Sequence, residues 1–123
     1  MSKDPHRLPD YLGHILQAID RINRYSAGMD EAGFLQSDMA QDAVIRNFEV
    51  LGEASRNIER DHPGFAAAHP ELPLAFAYEM RNALAHGYFK IDLDIVWRTI
   101  KSDLPGLRLR VHQALIQLNS ADS

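Results

Sequence analysis

The sequence predicts an all-α protein, a bundle of four or five helices with short connections that dimerises. Apolar residues recur at steps of three and four along almost the whole chain, the spacing of amphipathic helices. No segment alternates apolar and polar residues between hairpin turns, so a sheet is not expected. Gly28, the prolines at 63, 70 and 73, and Gly87 fall between the apolar stripes, where helix ends are expected.

The first helix carries Leu12, Ile15, Leu16, Ile19 and Ile22, has Asp10 as its expected cap, and ends near Gly28. The second opens at Ser37, a capping residue, and buries Val44, Phe48, Leu51, Ala54 and Ile58. Gly52 inside it costs about 1 kcal/mol relative to alanine, which close helix–helix approach would justify. Pro63, Pro70 and Pro73 then break the chain. A third helix is expected over Leu74 to Ala85, with Gly87 placed for a left-handed C-terminal residue. Asp92 or Asp94 caps a fourth helix through Ile95, Val96, Trp97 and Ile100. Ser102 or Asp103 restarts the chain into a last helix through Leu104, Leu107, Val111, Leu115 and Leu118, with Pro105 in its first turn. A frayed tail is expected after Asn119. Trp97 is assigned to the core or to a dimer interface. Helices of this kind often leave one apolar strip uncovered, and a homodimer buries it.

A length of 123 residues argues for one domain over 1–123, with an ordered core of about 8–118. With 46% hydrophobic and 24% charged residues the balance is that of a soluble globular protein. The chain has no cysteine, which excludes disulfides, zinc–thiolate sites, iron–sulfur clusters and thiol catalysis. That also fits a reducing cytoplasm. No apolar run approaches the roughly 20 residues that cross a bilayer, and MSKDPHRLPD is too polar for a signal peptide. His6, His14, His62, His69 and His112 show no ligand spacing, so neither metal nor cofactor is expected.

Charge is uneven. Residues 1–62 hold 7 basic and 11 acidic side chains, and residues 63–123 hold 6 of each. Residues 81–110 hold six basic groups against three acidic ones. A local +3 on a chain of net charge −4 is not the basic face of a dedicated nucleic-acid binder. It is a solvated helical surface or a small phosphate-facing patch.

The stretch YEMRNALAHGYFK (78–90) carries the chemistry. Arg81 and His86 are five apart, and on one helix five residues turn through roughly 140°. The two converge if the helix ends at His86, or if two copies of the segment face each other across a dimer. Histidine exchanges protons near neutral pH, and the guanidinium fork fits phosphate oxygens. The pair suits metal-free cleavage of RNA: the imidazole deprotonates a ribose 2′-hydroxyl and the cation steadies the charged phosphorane. Asn82 could donate to a phosphate oxygen or orient His86. Glu53 is either a brace for Arg81 or an asparagine, or a solvated surface acid. The alternative for Arg81 and His86 is a cation and a cap at a helix C-terminus, and for Tyr88 an interface position.

The pattern R-x4-H-x-Y, here Arg81, His86 and Tyr88, resembles the signature of HepT-like toxins in the HEPN superfamily. QDAVIRNFEVLGEA (41–54), HPELP (69–73), MRNALAHGYF (80–89) and DLDIVWRTIKSDLP (92–105) are similar to family blocks in the same order. One departure is LAFAY (74–78), where the family pattern would have a tryptophan and a more polar stretch. The resemblance implies a dimeric HEPN-like bundle acting as a metal-independent endoribonuclease. In it Arg81 binds phosphate, His86 is the general base, and Asn82 and Glu53 are possible helpers. It also implies a toxin–antitoxin pair of type VII. There the partner, an MntA-like minimal nucleotidyltransferase, silences the site by transferring AMP to Tyr88. The alternative implied by the same bundle is a non-catalytic nucleotide-binding module that docks such a nucleotidyltransferase.

Overall fold

The computed structural model describes residues 7–72, 74 and 93–121. Among them are six helices: α1 (Leu8–Tyr25), α2 (Glu31–Leu35), α3 (Asp38–Asp61), α4 (Pro63–Ala68), α5 (Leu93–Ser102) and α6 (Leu104–Ala121). The fold is all-α, as the periodicity requires. The expected third helix, from Leu74 to Ala85, lies outside the described residues except for Leu74. Among the described residues no helix is long and apolar enough to cross a membrane.

Several ends differ from expectation. α1 starts at Leu8, with Arg7 rather than Asp10 at the cap position and no side-chain cap bond. Pro9 explains the shift. Its fixed φ suits a first turn, where its missing N–H is not needed. Asp10 falls inside that turn, where its charge faces the positive end of the helix dipole. The chain leaves α1 through Gly28, whose φ of 77° is the left-handed conformation glycine tolerates. Pro63 does break α3, but it also opens the six-residue α4 as its first residue. Asp94 sits in the first turn of α5 rather than before it, and Asp92 lies outside the described residues. α6 continues through Ala121 instead of fraying at Asn119. Extending a formed helix needs only one residue fixed per added bond.

Other ends match. The Ser37 hydroxyl accepts from the Ala40 amide at 3.1 Å and starts α3. Asp30 accepts from the Gly33 amide at 2.8 Å and starts α2. Gln41 donates to the carbonyls of Phe34 and Leu35 at 3.0 and 3.1 Å, so α3 satisfies the open C-terminus of α2.

α1 packs against α3 on one side and α6 on the other; α5 bridges α6 to α2, and α2 returns to α3. Tyr11 near the start of α1 bonds Asp61 at the end of α3, so these helices run antiparallel. Asp20 late in α1 holds Arg108 early in α6 at 2.7 Å, so that pair is antiparallel too. The ring encloses Leu12, Ile15, Ile19 and Ile22 of α1, and Val44, Phe48, Leu51 and Ile58 of α3, all at most 1% exposed. Val96 of α5 and Leu104 and Val111 of α6 complete it. Phe34 of α2 is fully buried, with its ring 5.4 Å from that of Trp97. Trp97 is therefore core, and Lys101 Nζ lies 4.7 Å above it. Buried polar side chains turn back on their own helices. Ser55, Thr99 and Asn47 donate to the carbonyls of Leu51, Ile95 and Ala43, four residues earlier, so their burial leaves these donors satisfied.

Two substitutions separate what holds the ring. Phe48→Ala should cost about 3–5 kcal/mol, the usual loss for a truncated core aromatic. Asp20→Asn should cost less than about 1 kcal/mol, because the Asp20 and Arg108 side chains are 53% and 41% exposed. Urea unfolding of the two variants measures both, and equal losses would contradict the packing described.

Candidate functional site

Arg81, Asn82, His86 and Tyr88 lie outside the described residues. The described chain anchors both flanks of their segment. On the N-terminal side Leu72 and Leu74 are 5% and 2% exposed within the core. On the C-terminal side α5 begins at Leu93 and buries Val96 and Trp97. Glu53 is described. It is exposed on α3, on the side of that helix facing away from Phe48 and Leu51.

There Glu53 lines a groove between α1 and α3 of about 330 Å³. The α3 wall is a stripe at helical spacing, Arg46, Glu49, Glu53 and Asn57, with Val50 and Ala54 beneath it. His14 of α1 stands opposite. Arg46 and Glu53 are exposed, Glu49 and Asn57 half-buried, and Ala54 buried. The groove therefore has a cation at one end, two carboxylates along it, an amide beyond them, and an apolar floor. Of this set sequence reasoning singled out only Glu53. The i, i+3, i+7, i+11 spacing on α3 was visible, but His14 joins it only because α1 and α3 pack together.

Next to the groove a compact polar cluster ties α1 to α3. The Tyr11 hydroxyl donates to Asp61 Oδ2 at 2.9 Å, and Asp61 is held by Arg60 at 2.9 and 3.2 Å. The Tyr11 ring, only 6% exposed, meets the edges of His14 and His62 at 6.5 and 6.1 Å. Burial raises the Tyr11 phenol above its ordinary value, and the bond to Asp61 raises it further. Asp61 likewise raises Arg60. Around α4, Glu71 pairs with His69 at 2.9 Å, and that bond lowers the Glu71 carboxyl. Among the described residues no three histidine, aspartate or glutamate side chains gather closely enough to hold a metal ion. Of the basic groups between 81 and 110 that are described, Arg108 pairs with Asp20 and Lys101 lies over Trp97, while Arg98 and Arg110 are exposed.

Comparison with known proteins gives a consistent picture. The family model described as Ribonuclease HepT-like matches residues 15–114. The chain is 40% identical over 99 residues to a protein of Thermococcus cleftensis named "Probable ribonuclease HepT", covering 80% of this chain and 87% of that one. It is 34% identical over 101 residues to a candidate RNase of Methanocaldococcus jannaschii, covering 82% and 90%. It is also 35% identical over 109 residues to a longer protein of the same organism, named for a gamma-glutamylcyclotransferase and a candidate RNase. That match covers 89% of this chain and 48% of the longer one. No solved structure matches the chain.

The Tyr11 contact makes a prediction with a definite sign. Its phenol is raised above the ordinary value of 10.0, so its contribution to stability is whole below about pH 10 and is lost as pH rises through the folded value. The stability difference between the wild type and Tyr11→Phe should stay constant up to about pH 10 and shrink above it. Denaturant unfolding across alkaline pH measures this. A difference that grows with pH would contradict the contact.

Proposed function

We propose that this chain, which belongs to the Ribonuclease HepT-like family, is a metal-independent endoribonuclease whose chemistry is done by Arg81 and His86. The supporting observation is the intact Arg81-x4-His86-x-Tyr88 pattern inside the matched span of 15–114. The described structure is compatible with it, since the segment bearing the motif is tied into the core on both sides by Leu72, Leu74 and Val96.

In this reading the unprotonated imidazole of His86 takes the proton of a ribose 2′-hydroxyl. The freed oxygen attacks the adjacent phosphorus, and Arg81 bonds the non-bridging oxygens as negative charge gathers there. The 5′-oxygen leaves and takes a proton from water. The products are a 2′,3′-cyclic phosphate and a 5′-hydroxyl, and every atom is accounted for without a metal or cofactor. Asn82 donates to a phosphate oxygen or orients His86. Two copies of the chain form the working cleft, each adding one Arg81/His86 set.

Regulation follows from Tyr88. A minimal nucleotidyltransferase antitoxin, MntA-like, transfers AMP from ATP to the Tyr88 hydroxyl and releases pyrophosphate. The added group carries bulk and negative charge to a point two residues from His86, where an RNA phosphate must sit. The chain is then the toxin of a type VII toxin–antitoxin pair, working in the cytoplasm on cellular RNA. The acidic balance of the chain and the engagement of Arg108 by Asp20 favour one second reading. In it, the bundle binds a nucleotide and docks the nucleotidyltransferase without turnover.

The purified protein should cut RNA in EDTA and leave 2′,3′-cyclic phosphate ends. His86→Ala should lower the rate by at least about 10²-fold with the helical circular-dichroism signal unchanged. Undiminished cutting by that variant removes His86 from the mechanism, and stoichiometric RNA or ATP binding without turnover by the wild type selects the second reading. Co-expression with the antitoxin should add mass in whole AMP units to the wild type and none to Tyr88→Phe. A gain that survives in the variant moves the modification elsewhere.

A further inference from the structure

The last turns of α1 carry a group of side chains that the cleavage chemistry does not use. Arg21, Arg24 and Tyr25 are all exposed there. Residues three and four apart on a helix are neighbours, with Cβ atoms about 5–6 Å apart, so Arg21 stands beside both of the others. The Arg24 guanidinium lies over the Tyr25 ring, its carbon 5.3 Å from the ring centre. The ring nonetheless stays 37% exposed.

The two cations are not neutralised. Along α1 the acid within a turn of them is Asp20, four residues before Arg24. Both of its oxygens are taken: Oδ1 accepts from Arg108 Nε at 2.7 Å and Oδ2 from Arg108 Nη2 at 3.3 Å. No acid occurs between residues 21 and 29. Among the described residues neither Arg21 nor Arg24 forms an ion pair. A cation in the last turn offsets the helix dipole, and Arg24 has that place. The effect ends with that turn, so it accounts for neither Arg21 nor an exposed aromatic ring beside the pair.

Each part restricts the ligand. Two guanidiniums a turn apart take anions. A ring with a guanidinium laid over it takes a flat body with a π face. Inorganic phosphate would use the cations alone, and an acidic peptide would leave the flat face unused. A single-stranded nucleic acid supplies both, a charged backbone and unpaired bases. Basic groups beside an exposed aromatic are how proteins hold such strands without reading their sequence, because every base has a π face.

We infer that the end of α1 is a contact for single-stranded RNA: an unpaired base stacks on Tyr25 and the Arg24 guanidinium, and Arg21 and Arg24 bond the flanking phosphates. The inference rests on the ribonuclease reading for the kind of nucleic acid, and it adds a grip on the strand outside the motif segment. It uses two or three groups on a chain of net charge −4, so the grip is local and not a basic face.

The test measures fluorescence anisotropy of a labelled single-stranded 2′-O-methyl RNA oligomer, which lacks the 2′-hydroxyl nucleophile and is not cut. It is run on the whole protein, wild type and His86→Ala, and both should bind alike. Tyr25→Leu should weaken binding at least about fivefold, the loss of one base–aromatic stack, while Tyr25→Phe stays within about twofold of the wild type. Arg21→Gln and Arg24→Gln should each weaken binding and lower the slope of log Kd against log salt by about 0.7, the value for one phosphate contact on a single strand. All four positions of change are exposed, and urea midpoints equal to that of the wild type confirm that the variants fold. Failure of the wild type to bind the oligomer, undiminished binding by Tyr25→Leu, or an unchanged salt slope in both arginine variants would each overturn the contact. So would binding of a polyglutamate peptide at this face by a protein that ignores the oligomer. A wild type that cuts RNA yet gives any of these results refutes the contact alone. Binding as expected by a protein that cuts no RNA refutes the cleavage reading and leaves the contact.

Discussion

The antiparallel packing of α1 on α3 is the contact on which the other features depend. Each helix presents a strip of almost wholly buried apolar side chains, Leu12, Ile15, Ile19 and Ile22 against Val44, Phe48, Leu51 and Ile58. Burying each such side chain is worth about 1.5–3 kcal/mol, so the pair outweighs the surface ion pairs seen among the described residues. With that seam set, the remaining elements have little choice. α6 takes the other side of α1, α5 leans on α6, and α2 closes the ring back to α3. The groove is the outer margin of the same seam, where the apolar strips end and His14 faces the polar stripe of α3. A change that slid α1 one turn along α3 would therefore alter the site candidate and the Tyr11–Asp61 contact together.

How much of this is legible in the sequence depends on how local the cause is. The long helices are local: their stripes alone specify α1, α3 and α6, and Ser37 marks the start of α3 by the hydroxyl it offers to Ala40. The short ones are not. α2 and α4 have five and six residues, fewer than two turns, so no apolar period can announce them. Each is held by something else. α2 is closed by Gln41 from the next helix, and α4 starts on a proline that reads as a breaker. Asp10 misleads for a related reason, since an acid suits both a cap and a first turn, and Pro9 decides between them. For the site, the motif around Arg81 is legible as a pattern of residue types, because its meaning lies in spacing along one segment. The groove is not, because half of its definition is a partner helix more than thirty residues away.

Electrostatics narrows how such a protein could hold RNA. Of the basic groups between 81 and 110, Arg108 is tied to Asp20 and Lys101 rests on Trp97. Arg98 and Arg110 are exposed, and Arg46 stands apart on α3. A net charge of −4 leaves little scope for the many phosphate contacts that make non-specific binders tight and salt-sensitive. On the proposed reading, affinity comes from a few well-placed groups, with the Arg81 guanidinium at the scissile phosphate. An acidic nuclease of this kind gains selectivity from the same feature, because RNA that cannot fill those contacts is repelled by the rest of the surface.

The anchoring of the motif segment bears on control as well as chemistry. Leu72 and Leu74 enter the core just before it and α5 packs just after it, so about eighteen residues are held between two fixed points. Fixing both ends of a stretch of that length carries a closure cost that grows only slowly with length. On the proposed reading, modification of Tyr88 would act through charge and bulk two residues along the chain from His86.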